Sequence, residues 1–90
     1  MSHILIIDDD TNINNLLREA LEKGGYDCGQ AYSGTEALLR LDMEPVDLVL
    51  LDLLLPGMSG EKVLEEIRKK RDIPVIVLTA KDRLVDKVDL

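Results

Sequence analysis

The stretch "LVLLDLLLPG", residues 48–57, carries one acid, Asp52, inside an otherwise apolar run. A continuous Leu and Val segment bounded by Pro and Gly reads as a strand covered on both faces, the kind found in a parallel sheet. A carboxylate in that setting is costly unless it has a partner or a reaction. What else converges on the end of this strand therefore decides both the architecture and the chemistry.

Working outward, "HILII", residues 3–7, is a second buried-strand run, stopped by "DDD". From Thr11 on, Ile13, Leu16, Leu17, Ala20 and Leu21 recur at helical spacing and predict one apolar stripe, ended by Gly24 and Gly25. "YDCGQAY" reads as a second strand, and Ser33 with Glu36 three residues later fits a capping box. Ala37, Leu38 and Leu41 then supply a buried helix face until Pro45. "VDLVLLD" is the third strand and "LLLPGMSG" a loop punctuated by Pro56, Gly57 and Gly60. Ser59 caps a third helix with Val63, Leu64 and Ile67 on its stripe and "RKKR" at its C-terminal end. "IPVIVLT" is a fourth strand, and "AKDRLVDKVDL" begins a fourth helix. Strands alternating with helices predict an α/β fold, a parallel sheet packed on both faces through right-handed crossovers.

Ninety residues with 46% hydrophobic content fit one domain, 1–90. A net charge of -7 and only two aromatics, Tyr26 and Tyr32, argue against direct contact with nucleic acid. No apolar run approaches the roughly 20 residues of a membrane span, and the N-terminus lacks a basic start. The single cysteine, Cys28, excludes an internal disulfide, which favours a cytoplasmic location and a small core residue. His3, alone before the first strand, reads as a surface residue and not as a ligand.

In open parallel α/β sheets the reactive crevice lies beyond the carboxyl ends of the strands. Asp8, Asp9 and Asp10 end strand one, Asp52 ends strand three and Thr79 ends strand four. With strands one and three adjacent, several carboxylates crowd one edge, and like charges so close call for a cation. Oxygen-only ligands at a water-filled crevice suit Mg²⁺ better than Zn²⁺. A divalent ion beside one isolated carboxylate, with a hydroxyl in reach, is the equipment for moving a phosphoryl group onto an aspartate. Asp52 is then the nucleophile, and the Thr79 hydroxyl donates to a phosphoryl oxygen.

Individual acids also have plainer uses, and Asp10 or Thr11 is favoured as N-cap of helix one. Asp52, between "LVLL" and "LLLPG", has no local turn chemistry to explain it. Asp8, Asp10, Asn12 and Glu19 match positions of a calcium-binding EF-hand loop, but Ile13 stands where glycine is required. A haloacid-dehalogenase-type phosphatase would need Asp-x-Asp-x-Thr, whereas "DDDTN" ends in Asn12 and leaves Asp52 unexplained.

The acidic pair after "ILII", the "LDLLLPGMSG" segment and "IPVIVLTA" together resemble the receiver domain of two-component response regulators, from Ile4 to the end of the chain. The resemblance implies a flavodoxin-like doubly wound parallel sheet with strand order 2-1-3-4, four of the family's five strands. It implies that Asp8 and Asp9 bind Mg²⁺ directly or through water, and that the backbone carbonyl of Leu54 also reaches the metal. Asp52 is implied as the residue phosphorylated by a sensor histidine kinase, and Thr79 as the one that reads the phosphoryl group. "LLLPGMSG" and "TAKD" lean towards receivers that precede a winged-helix DNA-binding domain, and so towards transcription regulation.

The sequence stops at Leu90, before the family's fifth strand, its phosphoryl-contacting lysine and its fifth helix; neither Lys81 nor Lys87 stands at a strand end. The expectation is a receiver domain lacking its C-terminal strand and helix, a binding and switching protein rather than a turnover enzyme. A rival reading is a phosphorylation-silent truncated fragment acting as a self-associating interaction module. Either way, an uncovered fourth strand predicts self-association, a dimer formed through that strand and the segment from Lys81 to Leu90.

Overall fold

The computed structural model of the chain describes residues 2–78, which form β1 His3–Ile7, α1 Thr11–Lys23, β2 Asp27–Ala31, α2 Gly34–Met43, β3 Leu48–Leu51, α3 Gly60–Lys70 and β4 Val75–Val77. The four strands make one all-parallel sheet in the order β2-β1-β3-β4. This is the α/β, flavodoxin-like arrangement expected. Thr79, the start of the fourth helix and the segment from Lys81 to Leu90 lie outside the described residues.

Alternation along β1 builds two cores. Leu5 and Ile7 point to one face, where they join Ala31, Val49 and Leu51 under Ala37 and Leu41 of α2 and Val63 and Ile67 of α3. Ile4 and Ile6 point to the other and meet Leu50, with Leu17 and Leu21 of α1 and Cys28 packed against them. Leu5, Ile6, Ile7 and Leu51 are fully buried. Each such side chain contributes about 1.5–3 kcal/mol by leaving water, so β1, buried on both sides, anchors the sheet.

Local chemistry sets the element ends. Asp10 caps α1, its side chain accepting from the Asn12 and Ile13 N–H groups, so that acid serves the helix. Ser33 caps α2 by accepting from Glu36 N–H, while Glu36 reaches back to Tyr32 N–H, one residue earlier than the usual capping box. Ser59 caps α3, and Arg68, Lys69 and Lys70 occupy its last turn, where they favour the helix dipole. β4 is shorter than "IPVIVLT" because Pro74 has no N–H to give the ladder, although its carbonyl still accepts from Val49 N–H at 3.0 Å.

Two expectations fail. Leu16, placed on the apolar stripe of α1, is 69% exposed, and Ala20 is exposed as well. The face that meets the sheet runs instead through Asn14, Leu17 and Leu21, with Asn14 completely buried. His3 is not a plain surface residue either. Its ring sits between two carboxylates, Nδ1 at 2.7 Å from Asp27 Oδ2 and Nε2 at 2.6 Å from Glu44 Oε1, and its backbone N–H donates to Asp47. The sheet's N-terminal edge, where β1, β2 and the α2–β3 connection meet, encloses it.

Candidate functional site

Parallel pairing brings the acids together. β1 and β3 end in register, Ile7 opposite Leu51, so the next residues, Asp8 and Asp52, emerge side by side. The ladder runs on past both strands: Asp52 N–H donates to Ile7 O at 2.9 Å and Asp8 N–H to Ala31 O at 3.1 Å. Rigid backbone thus aims two carboxylates at one point. Both are 2% exposed, whereas Asp9, on the turn that follows β1, is exposed.

One carboxylate oxygen from each of Asp8, Asp9 and Asp52 lies within 4.8 Å of the others. Three oxygens of the same charge, two of them withdrawn from water, repel each other strongly unless a cation sits among them. Hard oxygen ligands of this kind fit Mg²⁺, which is bound through carboxylates while keeping water and phosphate oxygens in the rest of its shell.

The two buried acids are each held from behind. Asp8 Oδ1 accepts from Asp10 N–H at 2.9 Å, and Asp52 Oδ1 accepts from Leu54 N–H at 3.0 Å. Leu54 thus meets Asp52 through its backbone N–H, and the residue as a whole is 55% exposed. The fifth expected residue, Thr79, lies outside the described residues. The preceding Leu78 donates its N–H to Leu51 O at 2.7 Å, so β4 reaches the same end of the sheet.

Sequence reasoning missed two supports of this site. Gly60, read as loop punctuation, is the first residue of α3, and a Cβ there would stand 2.3 Å from Leu53 Cα and 2.8 Å from Asp52 O. Only glycine lets α3 start against the peptide that follows Asp52. The signal was the spacing of Gly60 from Asp52 with Ser59 as cap, but closeness in space is not written there. Asn14 is the second, a buried polar residue that donates to Asp8 O and Ala31 O. Its signal was a polar residue three before Leu17 and seven before Leu21, on the buried face.

Cys28 lies away from the acids, half-buried and unpaired. Burial pushes its thiol pKa up, with the charges of Glu22 and Asp27 adding to the shift, which disfavours the reactive thiolate.

The chain matches the response regulator receiver domain family over residues 4–90. Among similar solved structures is the response regulator TrrA from Thermotoga maritima in complex with Mg²⁺-BeF, 35% identical, covering 99% of this chain and 97% of that one, with a TM-score of 0.79. TrrA bound to the histidine kinase ThkA is 47% identical over 89% of this chain and 70% of that one, with a TM-score of 0.84. The N-terminal domain of a response regulator receiver protein from Methanoculleus marisnigri is 43% identical, covering 89% and 68%, with a TM-score of 0.86. Sheet order, acid cluster and these likenesses agree, and the chain belongs to the response regulator receiver domain family of two-component signalling.

Proposed function

We propose that this receiver domain accepts a phosphoryl group on Asp52 from a phosphohistidine of a sensor histidine kinase, with Mg²⁺ held by Asp8, Asp9, Asp52 and the backbone carbonyl of Leu54. The observation that carries the reading is the convergence of Asp8, Asp9 and Asp52 oxygens within 4.8 Å at the carboxyl ends of β1 and β3. The kinase complex of TrrA supports the partner, and the Mg²⁺-BeF complex of TrrA supports the ion.

In the transfer, a carboxylate oxygen of Asp52 forms a bond to phosphorus as the phosphorus–nitrogen bond breaks, and the electron pair returns to the imidazole. Bound Mg²⁺ supplies charge neutralisation for the phosphoryl oxygens. The chain's own part is positional. The Leu54 N–H fixes one Asp52 oxygen, and the hydrogen-bonded backbone on either side keeps the carboxylate from swinging away. Thr79, following Leu78 at the end of β4, serves as the hydroxyl that senses the phosphoryl group. The protein acts as a switch and not as a turnover enzyme, since the product is its own modified side chain.

The single free Cys28 supports a cytoplasmic location. No helix of the described residues is long and apolar enough to cross a membrane. Transcription regulation through a winged-helix output domain rests on "LLLPGMSG" and "TAKD". The acidic net charge supports no direct contact of this domain with nucleic acid.

Incubation with Mg²⁺ and a small phosphodonor, followed by intact mass, tests the reading. A phosphoryl adduct that disappears in Asp52→Asn supports it, and a folded chain without adduct overturns it. A second reading, self-association through β4 as a phosphorylation-silent module, is favoured by Ile76 and Val77, which are 49% and 40% exposed on that strand. Light scattering on the unphosphorylated chain checks it, and a monodisperse monomer removes it.

A further inference from the structure

We infer that Asn14 is a positioning residue for the metal-binding carboxylates, held in its working orientation by Gln30; the inference rests on the phosphoacceptor reading above. Asn14 is fully buried in the first turns of α1, where an apolar residue would ordinarily face the sheet. Its Nδ2 donates to Asp8 O at 2.9 Å and to Ala31 O at 3.1 Å. Ala31 O also accepts from Asp8 N–H at 3.1 Å. Asp8 is thus gripped at its N–H by β2 and at its carbonyl by α1, directly behind the carboxylate that joins the acid cluster.

The turn carrying Asp9 is pinned at its far end by the same helix. Asn14 N–H donates to Asp10 O at 2.9 Å, and the Asp10 side chain caps the first turn. Asp8 and Asp10 are both fixed relative to Asn14, which leaves Asp9 on a tether of one residue. The exposed acid is therefore held near its two buried partners.

Gln30 decides which way the Asn14 amide points. Its Nε2 donates to Asn14 Oδ1 at 3.0 Å and to Asn15 Oδ1 at 2.8 Å. With that oxygen turned towards a donor, both Nδ2 hydrogens face the two carbonyls. Reversed, the amide would set its oxygen against Asp8 O and Ala31 O. Aspartate at this position could not donate to either carbonyl, and alanine would leave both with one donor fewer. Mg²⁺ demands near-ideal ligand geometry, so groups that orient its carboxylates act on affinity and not only on folding.

The test is calorimetric titration of the whole chain with Mg²⁺, alongside thermal melting in its absence, for wild type, Asn14→Ala and Gln30→Glu. Gln30→Glu replaces the donor by a carboxylate and turns the Asn14 amide without touching any acid of the cluster. The expected result is Mg²⁺ affinity weakened by about tenfold or more in Asn14→Ala, in line with other groups that orient metal ligands, and weakened in the same direction by Gln30→Glu. A lowered melting temperature with unchanged Mg²⁺ affinity would show a merely structural staple and overturn the assignment. Should Asn14→Ala fail to fold, Gln30→Glu decides alone: weaker affinity supports the role, unchanged affinity ends it. A folded wild type that shows no Mg²⁺ binding overturns the phosphoacceptor reading and this role with it, whereas normal binding by wild type and both variants removes Asn14 only.

Discussion

Asp8 and Asp52 lie side by side one residue beyond the paired ends of β1 and β3, each 2% exposed, with no covalent or helical element joining them locally. Their closeness is a product of register alone. In Asp52→Asn the amide oxygen can still accept from Leu54 N–H, so the loop is kept while one charge leaves the cluster. We expect no phosphoryl adduct by intact mass. Without Mg²⁺ the variant should be more stable by about 1 kcal/mol, the order of a partly screened like-charge contact. For a domain of this size that raises the melting temperature by about 4–8 °C, and a lower melting temperature would count against the crowding argument.

Asp9 is exposed, so its truncation costs little packing, and its effect should be confined to the ion. Wild type should gain about 2.7 kcal/mol at a Mg²⁺ concentration 100 times its dissociation constant. Asp9→Ala should lose most of that response while melting normally without the ion. Thermal melts across a Mg²⁺ series check this, and an undiminished response would remove Asp9 from the ligand set.

Gly60→Ala would drive a methyl group into the Leu53 and Asp52 backbone, which has no rotamer to escape through. The start of α3 must then move off the peptide after Asp52, and the Gly60 N–H to Leu53 O bond of 3.0 Å is lost or stretched. A destabilisation of about 1–3 kcal/mol is expected, seen as a lower urea midpoint with the slope unchanged. Phosphoryl acceptance should slow as well, since Leu53 follows the nucleophile directly.

His3 gives the fold a pH dependence of its own. A neutral imidazole has one N–H, and both His3 nitrogens lie against carboxylates, so the doubly protonated ring fits the site. Burial pushes its pKa down, but hydrogen bonds and charge from Glu44 and Asp27 outweigh that, and the net shift is upward from 6.5. Stability from a raised pKa is fully present below the unfolded value and is lost as pH rises through the folded one. Urea midpoints of wild type should therefore fall relative to His3→Gln as pH rises above 6.5. Gly29→Ala, whose methyl carbon would stand 2.7 Å from Glu44 Oε1, should flatten the same profile without removing a titrating group. Parallel profiles for wild type and His3→Gln would refute the linkage.

Strand, helix and cap were legible in the chain because they depend on neighbours a few residues away. "HILII" and "LVLL" are apolar in every position since both sheet faces are covered, and Ser33, Ser59 and Asp10 cap helices through contacts two or three residues on. The candidate site was legible in part, because an acid at the end of an apolar run is costly without a partner; the bond of Asp52 Oδ1 to Leu54 N–H, a local turn contact, was not expected. Periodicity misjudged α1, where Leu16 and Ala20 fit a stripe but face solvent, and where Asn14 fills the place of a core residue. A helix's spacing says which residues share a face and leaves open which way that face turns. Only the tertiary structure decided this, since the Asn14 amide is satisfied by the carbonyls of Asp8 and Ala31, which lie 6 and 17 residues away. The same holds for His3, whose two carboxylate partners lie 24 and 41 residues distant, and for Gly60, whose need for a bare Cα arises only when α3 meets the backbone of Leu53. Hydrogen bonds and close contacts between distant segments have no period, and so they leave no pattern in the sequence until the sheet has set its register.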